Sequence, residues 1–374
     1  MKKLCFIVSS PATALAFLKG PMRVLSEDYE LHLVVNTSSP QELLDALPLT
    51  QVHLFPIERG LQPLQDFRCL LEVIRFFRSH DFAALHSVSP KAGLMAMLGG
   101  YFGRIPQRTH TFTGQVWANK KGGFRFLLKA IDRVIARCAT HVLVDGQSQR
   151  QFLIDEGVVE PKAEVLGKGS ICGVSLTRFR PDEEIRARRR KALGLNEEEW
   201  AFMFLGRLNK DKGVIDLIHA FAQLEQTHSP CSLFLVGHDE ENIEQDYKEV
   251  SKKIFYIPFE KYPEELLQAC DTFCLPSYRE GFGLSVIEAS ALEKPIICSD
   301  AYGLQDTIIE GETGLRHRVG EVAHLKEQLE WALEHPQAMR EMGKQGRVYV
   351  AKNFSGNVLL EAWKSFYTNT LLSS

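Results

Sequence analysis

The 374-residue chain contains no Cys-x-x-Cys pair, and its one close cysteine pair, Cys270 and Cys274, has no matching second pair, so neither a zinc site nor a disulfide framework is indicated. The eight cysteines are scattered, mostly inside apolar runs, and read as reduced thiols of a cytosolic protein. Long hydrophobic runs are also missing. No stretch approaches the roughly 20 apolar residues of a membrane span. Leu4–Val8 is broken by Ser9-Ser10-Pro11 too early for a signal peptide and reads as a first β-strand. A net charge of −3 argues against bulk binding to nucleic acid, and no low-complexity tract is present. What remains is an ordinary globular composition, 45% hydrophobic and 24% charged, in a chain long enough for two domains.

Strand and helix patterns alternate from the start: Leu4–Val8, Leu31–Val35, Val52–Phe55, a helical pattern over Leu64–Phe77, then Ala83–His86. Near-continuous apolar strands separated by amphipathic helices predict a parallel sheet covered on both faces, with ligands beyond the carboxyl ends of its strands. Three such ends carry polar chemistry: Ser9-Ser10-Pro11, the segment from His86 to Gly93 with Lys91, and Thr109–Gln115 with Thr113 and Gly114. His86 is placed at a strand end and so is a candidate site residue, although a lone histidine is as readily structural. The hydroxyls and amides of Thr109–Gln115 suit sugar hydroxyls or, equally, a turn held by side-chain-to-backbone bonds. Lys121, Arg125, Lys129, Arg133 and Arg137 recur every fourth residue, a basic stripe for an anionic membrane or a lipid diphosphate, or else a solvated helix face. The pattern dissolves at Gly167–Val174, followed by the charged Pro181–Lys191, which marks a boundary near residue 178.

The second half restarts the alternation with Ala201–Gly206 and then offers Arg207 and Lys212 before a helix. Two fixed cations there suit a diphosphate and the charge that builds on it as it leaves; as loop cations they are alternatively just solvated. Thr272–Leu275 runs into a loop containing Glu280, Gly281, Phe282 and Gly283 and then into a helical pattern from Leu284 that carries Glu288. A strand, a tight turn and a helix start aim backbone N–H groups at an anion. The other reading is a strand–helix joint whose glycines only relieve backbone strain. Ile309–Leu315 reads as a turn, and helical patterns fill Val322–Leu333, Pro336–Lys352 and Val358–Leu372.

The combination Gly206-Arg207-Leu208 with Lys212-Gly213, Pro276-Ser277 with Glu280-Gly281-Phe282-Gly283 and Glu288-Ala289, and Pro295 with Ser299-Asp300, Gly303, Gly311 and Thr313-Gly314-Leu315 resembles the GT4 group of retaining glycosyltransferases. That resemblance implies an α/β protein of the GT-B fold, two Rossmann-like parallel-sheet domains facing a central cleft. It further implies an acceptor domain over 1–178, a nucleotide-sugar domain over 179–355 and a helix over 356–374 that returns to the first domain. By position, Glu280 holds donor-sugar hydroxyls and Glu288 the ribose; Gly206, Arg207, Lys212 and the N–H groups of Gly281, Phe282, Gly283 and Leu284 take the diphosphate, with Ser9 approaching from the first domain. His86 shapes the sugar site, while Lys91, Thr113 and Gly114 meet acceptor or sugar. Lys121, Arg125 and Lys129 contact membrane or lipid phosphate.

The N-terminal half is similar to members that extend lipid-linked sugars in bacterial surface glycan assembly. It departs from many of them in carrying Ser9-Ser10-Pro11 where a Gly-Gly loop is usual and Thr113-Gly114 where His-Gly is usual, and Asp306 stands where glutamate is more common. The expected reaction is transfer of an N-acetylhexosamine or hexose from a UDP-sugar to a lipid-linked saccharide, with retention. No cofactor is expected and no metal, since no Asp-x-Asp occurs. The expected setting is the inner face of the cytoplasmic membrane, with peripheral membrane contact and domain closure during turnover. A UDP-sugar epimerase of the same fold and a non-catalytic nucleotide-sugar-binding subunit are the alternatives.

Overall fold

Strands such as Cys231–Val236, apolar at nearly every position, have no polar face to offer water and must be covered on both sides. The computed structural model describes residues 1–58, 60, 62–228, 230–243, 248 and 250–372, and these form two compact units, Met1–Cys172 with Gly356–Ser374 and Gly173–Ser355. The division falls at 172/173 rather than near 178. The charged segment read as a boundary is instead a helix, Glu183–Ala192, within the second unit. Asp182 caps it by accepting from Glu184 N and Ile185 N, and acidic residues lead its first turn while basic ones close its last. Arg186 and Arg190 fasten it to the two oxygens of Asp271, at 2.5 and 2.9 Å.

The first unit is built on strands β1 (Lys2–Ile7), β2 (Tyr29–Val35), β3 (Gln51–Leu54), β4 (Ala84–Val88), β5 (Gln107–Phe112), β6 (His141–Val144) and β7 (Glu164–Val165), in the order β3-β2-β1-β4-β5-β6-β7. The second is built on β8 (Trp200–Leu205), β9 (Cys231–Val236), β10 (Ile254–Ile257), β11 (Thr272–Leu275), β12 (Ile296–Ser299) and β13 (Gly314–His317), in the order β10-β9-β8-β11-β12-β13. Every paired strand in both sheets is parallel. Both orders reverse direction once, between β1 and β4 and between β8 and β11. At such a reversal the flanking loops diverge to opposite faces and leave a crevice at the carboxyl ends of the strands. β7 and β13 are elements the apolar pattern did not announce, β13 lying in what reads as a turn.

One face of the first sheet is covered by the helix Gly356–Leu372, which brings Trp363, Tyr367 and Leu371 into the core with Leu4, Phe6 and Leu33. Trp363 Nε1 donates to Ile171 O at 2.8 Å, and Lys2 Nζ donates to Leu371 O at 2.6 Å. No helix among the described residues is long and apolar enough to cross a membrane.

Trp363 is fully buried, so Trp363→Ala removes a large apolar group and leaves Ile171 O without its donor. We expect a loss of about 3–5 kcal/mol in urea unfolding of the whole chain; a loss below about 1 kcal/mol would mean the helix is only loosely attached.

Candidate functional site

The reversal in the second sheet lies between β8 and β11, and the two loops leaving these strands carry Arg207, Lys212 and Glu280. They meet because Gly213 permits it. Its φ is +68°, and a Cβ there would stand 2.1 Å from Pro276 O, so no side chain fits between the turn after β8 and the loop after β11. Four further bonds join the same pieces. Tyr278 N donates to Asp211 O at 2.9 Å, the Arg279 guanidinium reaches Asp211 Oδ2 at 2.7 and 3.0 Å, and Tyr278 OH donates to Asp216 Oδ2 at 2.7 Å.

Within this frame Lys212 Nζ and Glu280 Oε1 form an ion pair, and Ser277 Oγ donates to the same oxygen at 2.8 Å. The pair is largely shielded, with 20% of the lysine side chain and 11% of the glutamate side chain exposed. Asn209 begins the short turn before Lys212: its Oδ1 accepts from Lys212 N at 3.1 Å, and its Nδ2 donates to Glu240 Oε2 at 2.7 Å. Arg207, which follows Gly206, reaches out from the end of β8 and binds both oxygens of Glu240, at 2.9 and 3.0 Å. Burial tends to raise the Glu240 carboxyl, but the hydrogen bonds from Asn209 and Arg207 outweigh it and hold it below the usual range.

The helix Leu284–Ala291 starts directly beyond Gly283, and Glu288 lies on its second turn. Burial pushes the Glu288 carboxyl up to about 7; the nearby Arg178 guanidinium opposes this and Glu264 adds to it. The backbone of Gly281, Phe282 and Gly283 lies ahead of this helix. Leu284 N, grouped with them in the sequence reading, donates instead to Phe282 O at 2.8 Å.

In the first unit, Ser9 after β1 and Ser89 after β4 flank the other reversal, their hydroxyls 3.2 Å apart. Ser89 has φ +78°, uncommon for a residue with a Cβ. Thr113 and Gly114 leave β5, with Thr113 O accepting from Gln149 Nε2 at 2.6 Å. Lys91 is engaged by Asp66 at 2.7 Å, with 12% of its side chain exposed.

His86 does not lie at a strand end. β4 continues to Val88, so the side chain turns into the core, where it is fully buried between the rings of Phe6 and Trp363. Its Nδ1 bonds Tyr367 OH at 2.6 Å and its Nε2 bonds Thr111 Oγ1 at 2.7 Å, leaving no nitrogen for a sugar. Burial, with His110 nearby, lowers its pKa to about 3, so the ring is neutral. It is a core residue.

The basic stripe is likewise redirected. On the helix Gly122–Cys138, Arg125 and Lys129 both bind Glu156, with Arg125 2.7 Å from Oε1, and both stand over the Trp117 ring. Arg133 donates to Glu156 O and Gly157 O. These cations thus hold the carboxyl end of the helix Gln147–Asp155, where the helix dipole favours positive charge. Lys121 at the helix start and Arg137 near its end stay exposed, and Phe124, Phe126 and Leu127 face water at 50%, 68% and 50% exposure.

The site residues that sequence reasoning passed over are Asn209, Asp211, Glu240, Ser277 and Arg279. Glu240 had one available signal, its position just past the Gly237 that ends β9, the neighbour of β8.

Two family models match the chain, a glycosyl transferase 4-like domain over residues 23–169 and a glycosyl transferases group 1 domain over residues 185–349. Among curated proteins, the capsular polysaccharide biosynthesis glycosyltransferase CapM of Staphylococcus aureus is 27% identical over 99% of this chain and 98% of its own. The UDP-Gal:alpha-D-GlcNAc-diphosphoundecaprenol alpha-1,3-galactosyltransferase of Escherichia coli is 24% identical over 74% of this chain and 73% of its own. Among solved structures, sucrose-phosphate synthase from Thermosynechococcus elongatus superposes with a TM-score of 0.83 at 20% identity, covering 100% of both chains. With two parallel sheets of reversed order and both domain models matched in sequence, the chain belongs to the GT4-type glycosyltransferases of the GT-B fold, related to bacterial enzymes of polysaccharide biosynthesis.

Proposed function

We propose that this glycosyltransferase moves a sugar from a UDP-sugar to a lipid-linked saccharide, with retention of configuration, and that its second unit holds the donor. The observation that carries the donor assignment is the placement of Arg207, Lys212 and Glu280 on the two loops that leave the strands at the reversal, with Lys212 and Glu280 in contact. The two cations face the diphosphate and stabilise the negative charge that grows as the nucleotide leaves, the contribution a metal makes in other transferases. Glu280 accepts hydrogen bonds from donor-sugar hydroxyls. Its Lys212 and Ser277 contacts hold it ready. Glu288 takes the ribose hydroxyls, and the acceptor hydroxyl attacks from the face the leaving group departs, with the diphosphate taking its proton. The lipid-linked acceptor is supported by the relative whose name specifies a diphosphoundecaprenol substrate, and UDP by the donor in the same name.

A lipid-linked acceptor requires the enzyme to work at a membrane surface, the cytoplasmic one if nucleotide-sugar is the donor. The exposed Phe124, Phe126 and Leu127 beside Lys121 form an apolar and basic margin suited to an anionic bilayer, in place of the internally paired Arg125 and Lys129. The double variant Phe126→Ser/Leu127→Ser is expected to lose most sedimentation with phosphatidylglycerol vesicles while melting within about 2 °C of wild type, consistent with surface changes. Unchanged sedimentation would remove this surface from the account.

In an assay of UDP release with a polyprenyl-diphosphate saccharide acceptor, Arg207→Ala, Lys212→Ala and Glu280→Ala should each lose about 10²–10³-fold in rate. Near-full activity in all three would contradict the assignment.

Glu288 supplies a pH test. Its folded pKa of about 7 lies above the unfolded value of 4.5, so between those values the native chain holds a proton that the unfolded chain does not. This group therefore favours folding at low pH and ceases to do so as pH rises toward 7. Glu288→Gln should accordingly gain on the order of 2 kcal/mol over wild type at pH 8 and nothing near pH 4. The same variant should bind UDP about 10- to 100-fold more weakly. Equal UDP affinity would sever Glu288 from the ribose, and equal stability at pH 8 would show that its carboxylate is not held at a cost.

A further inference from the structure

Both cations of the donor crevice already carry a carboxylate. Lys212 is paired with Glu280, which has a task on the donor sugar. Arg207 is paired with Glu240, which has none. Glu240 is nevertheless held in place from several sides. Gly237 ends β9 with φ +132°, and a Cβ there would stand 2.0 Å from Gly206 O, so the chain leaving β9 lies directly against the chain leaving β8. Pairing then continues past the sheet: Leu208 N donates to His238 O at 2.8 Å and Glu240 N donates to Leu208 O at 3.0 Å. This sets the Glu240 side chain across from Arg207, where Asn209 fixes one of its oxygens. Arg207 is 59% exposed and Glu240 34%, so an incoming anion has access to both.

We infer that Glu240 is an anionic placeholder for the donor diphosphate. It keeps Arg207 oriented in the empty site, yields the guanidinium when a nucleoside diphosphate arrives, and takes it back as UDP leaves. The inference rests on the proposed role of Arg207 in binding the diphosphate. An arriving diphosphate must displace Glu240 from the guanidinium, and giving up that partly exposed ion pair lowers affinity by about threefold to fivefold. Glu240 thus weakens UDP binding and speeds its release, acting on the reaction through Arg207 as a positioning residue.

The test compares UDP affinity by calorimetry for wild type, Glu240→Gln, Glu240→Asp, Arg207→Ala and the double variant Arg207→Ala/Glu240→Gln at one fixed ionic strength, with melting curves lacking UDP as a folding control. Glutamine can still accept from Arg207 and Asn209, so Glu240→Gln removes charge while keeping the guanidinium oriented. It should bind UDP about three- to fivefold more tightly, with a matching fall in the UDP inhibition constant. Glu240→Asp, which keeps the charge, should stay within about twofold of wild type, an interval too small to signal a lost or gained contact. In the Arg207→Ala background the gain from Glu240→Gln should shrink below about twofold. Unchanged or weaker UDP binding by Glu240→Gln overturns the inference, as does an equal gain with and without Arg207. If Arg207→Ala binds UDP as wild type does, the donor assignment itself fails and takes the inference with it.

Discussion

The close approach of two chain segments at Gly213 is the constraint on which the rest of the candidate site depends. With Pro276 O standing 2.1 Å from where a Cβ would be, the turn bearing Lys212 and the loop bearing Glu280 share one surface. Asp211 and Asp216 then bind that loop through Arg279 and Tyr278. These bonds order the backbone that carries Lys212 and Glu280 during folding, whatever partners the two side chains later take. The parallel order with a single reversal supplies the opening, and the glycine supplies the contact across it.

Electrostatics in the crevice follow from that packing. Arg207 and Lys212, both on the turn that follows β8, would each attract a passing anion if left alone. Each is instead matched by a carboxylate, Lys212 by Glu280 and Arg207 by Glu240. A diphosphate bound there, as proposed, would enter by exchange of partners rather than by simple attraction. Glu288 stands apart, desolvated and favoured in its neutral form.

The fold class was legible because fully buried parallel strands read as continuous apolar runs, and Leu4–Val8 or Ala201–Gly206 needed no further information. β13 was hidden because Gly314–His317 is short and preceded by turn residues. In the crevice, Arg207, Lys212 and Glu280 could be singled out by residue type after a strand end. Their mutual contacts could not, since they depend on strand order, which no local pattern encodes. His86 shows the opposite error. Two more strand residues, Ser87 and Val88, place it in the core, and its true partner Tyr367 lies at the far end of the chain. Periodicity marked the basic stripe as a face but not what meets it, and Glu156 meets Arg125 and Lys129.

The central claim is that the loops after β8 and β11 bind the nucleotide diphosphate. Hydrogen–deuterium exchange of the whole chain with and without saturating UDP tests it most directly, since a ligand that binds the native state suppresses local opening where it binds. The account predicts slowed exchange over residues 206–213 and 276–288. Slowed exchange elsewhere, with these two segments unchanged, would contradict it.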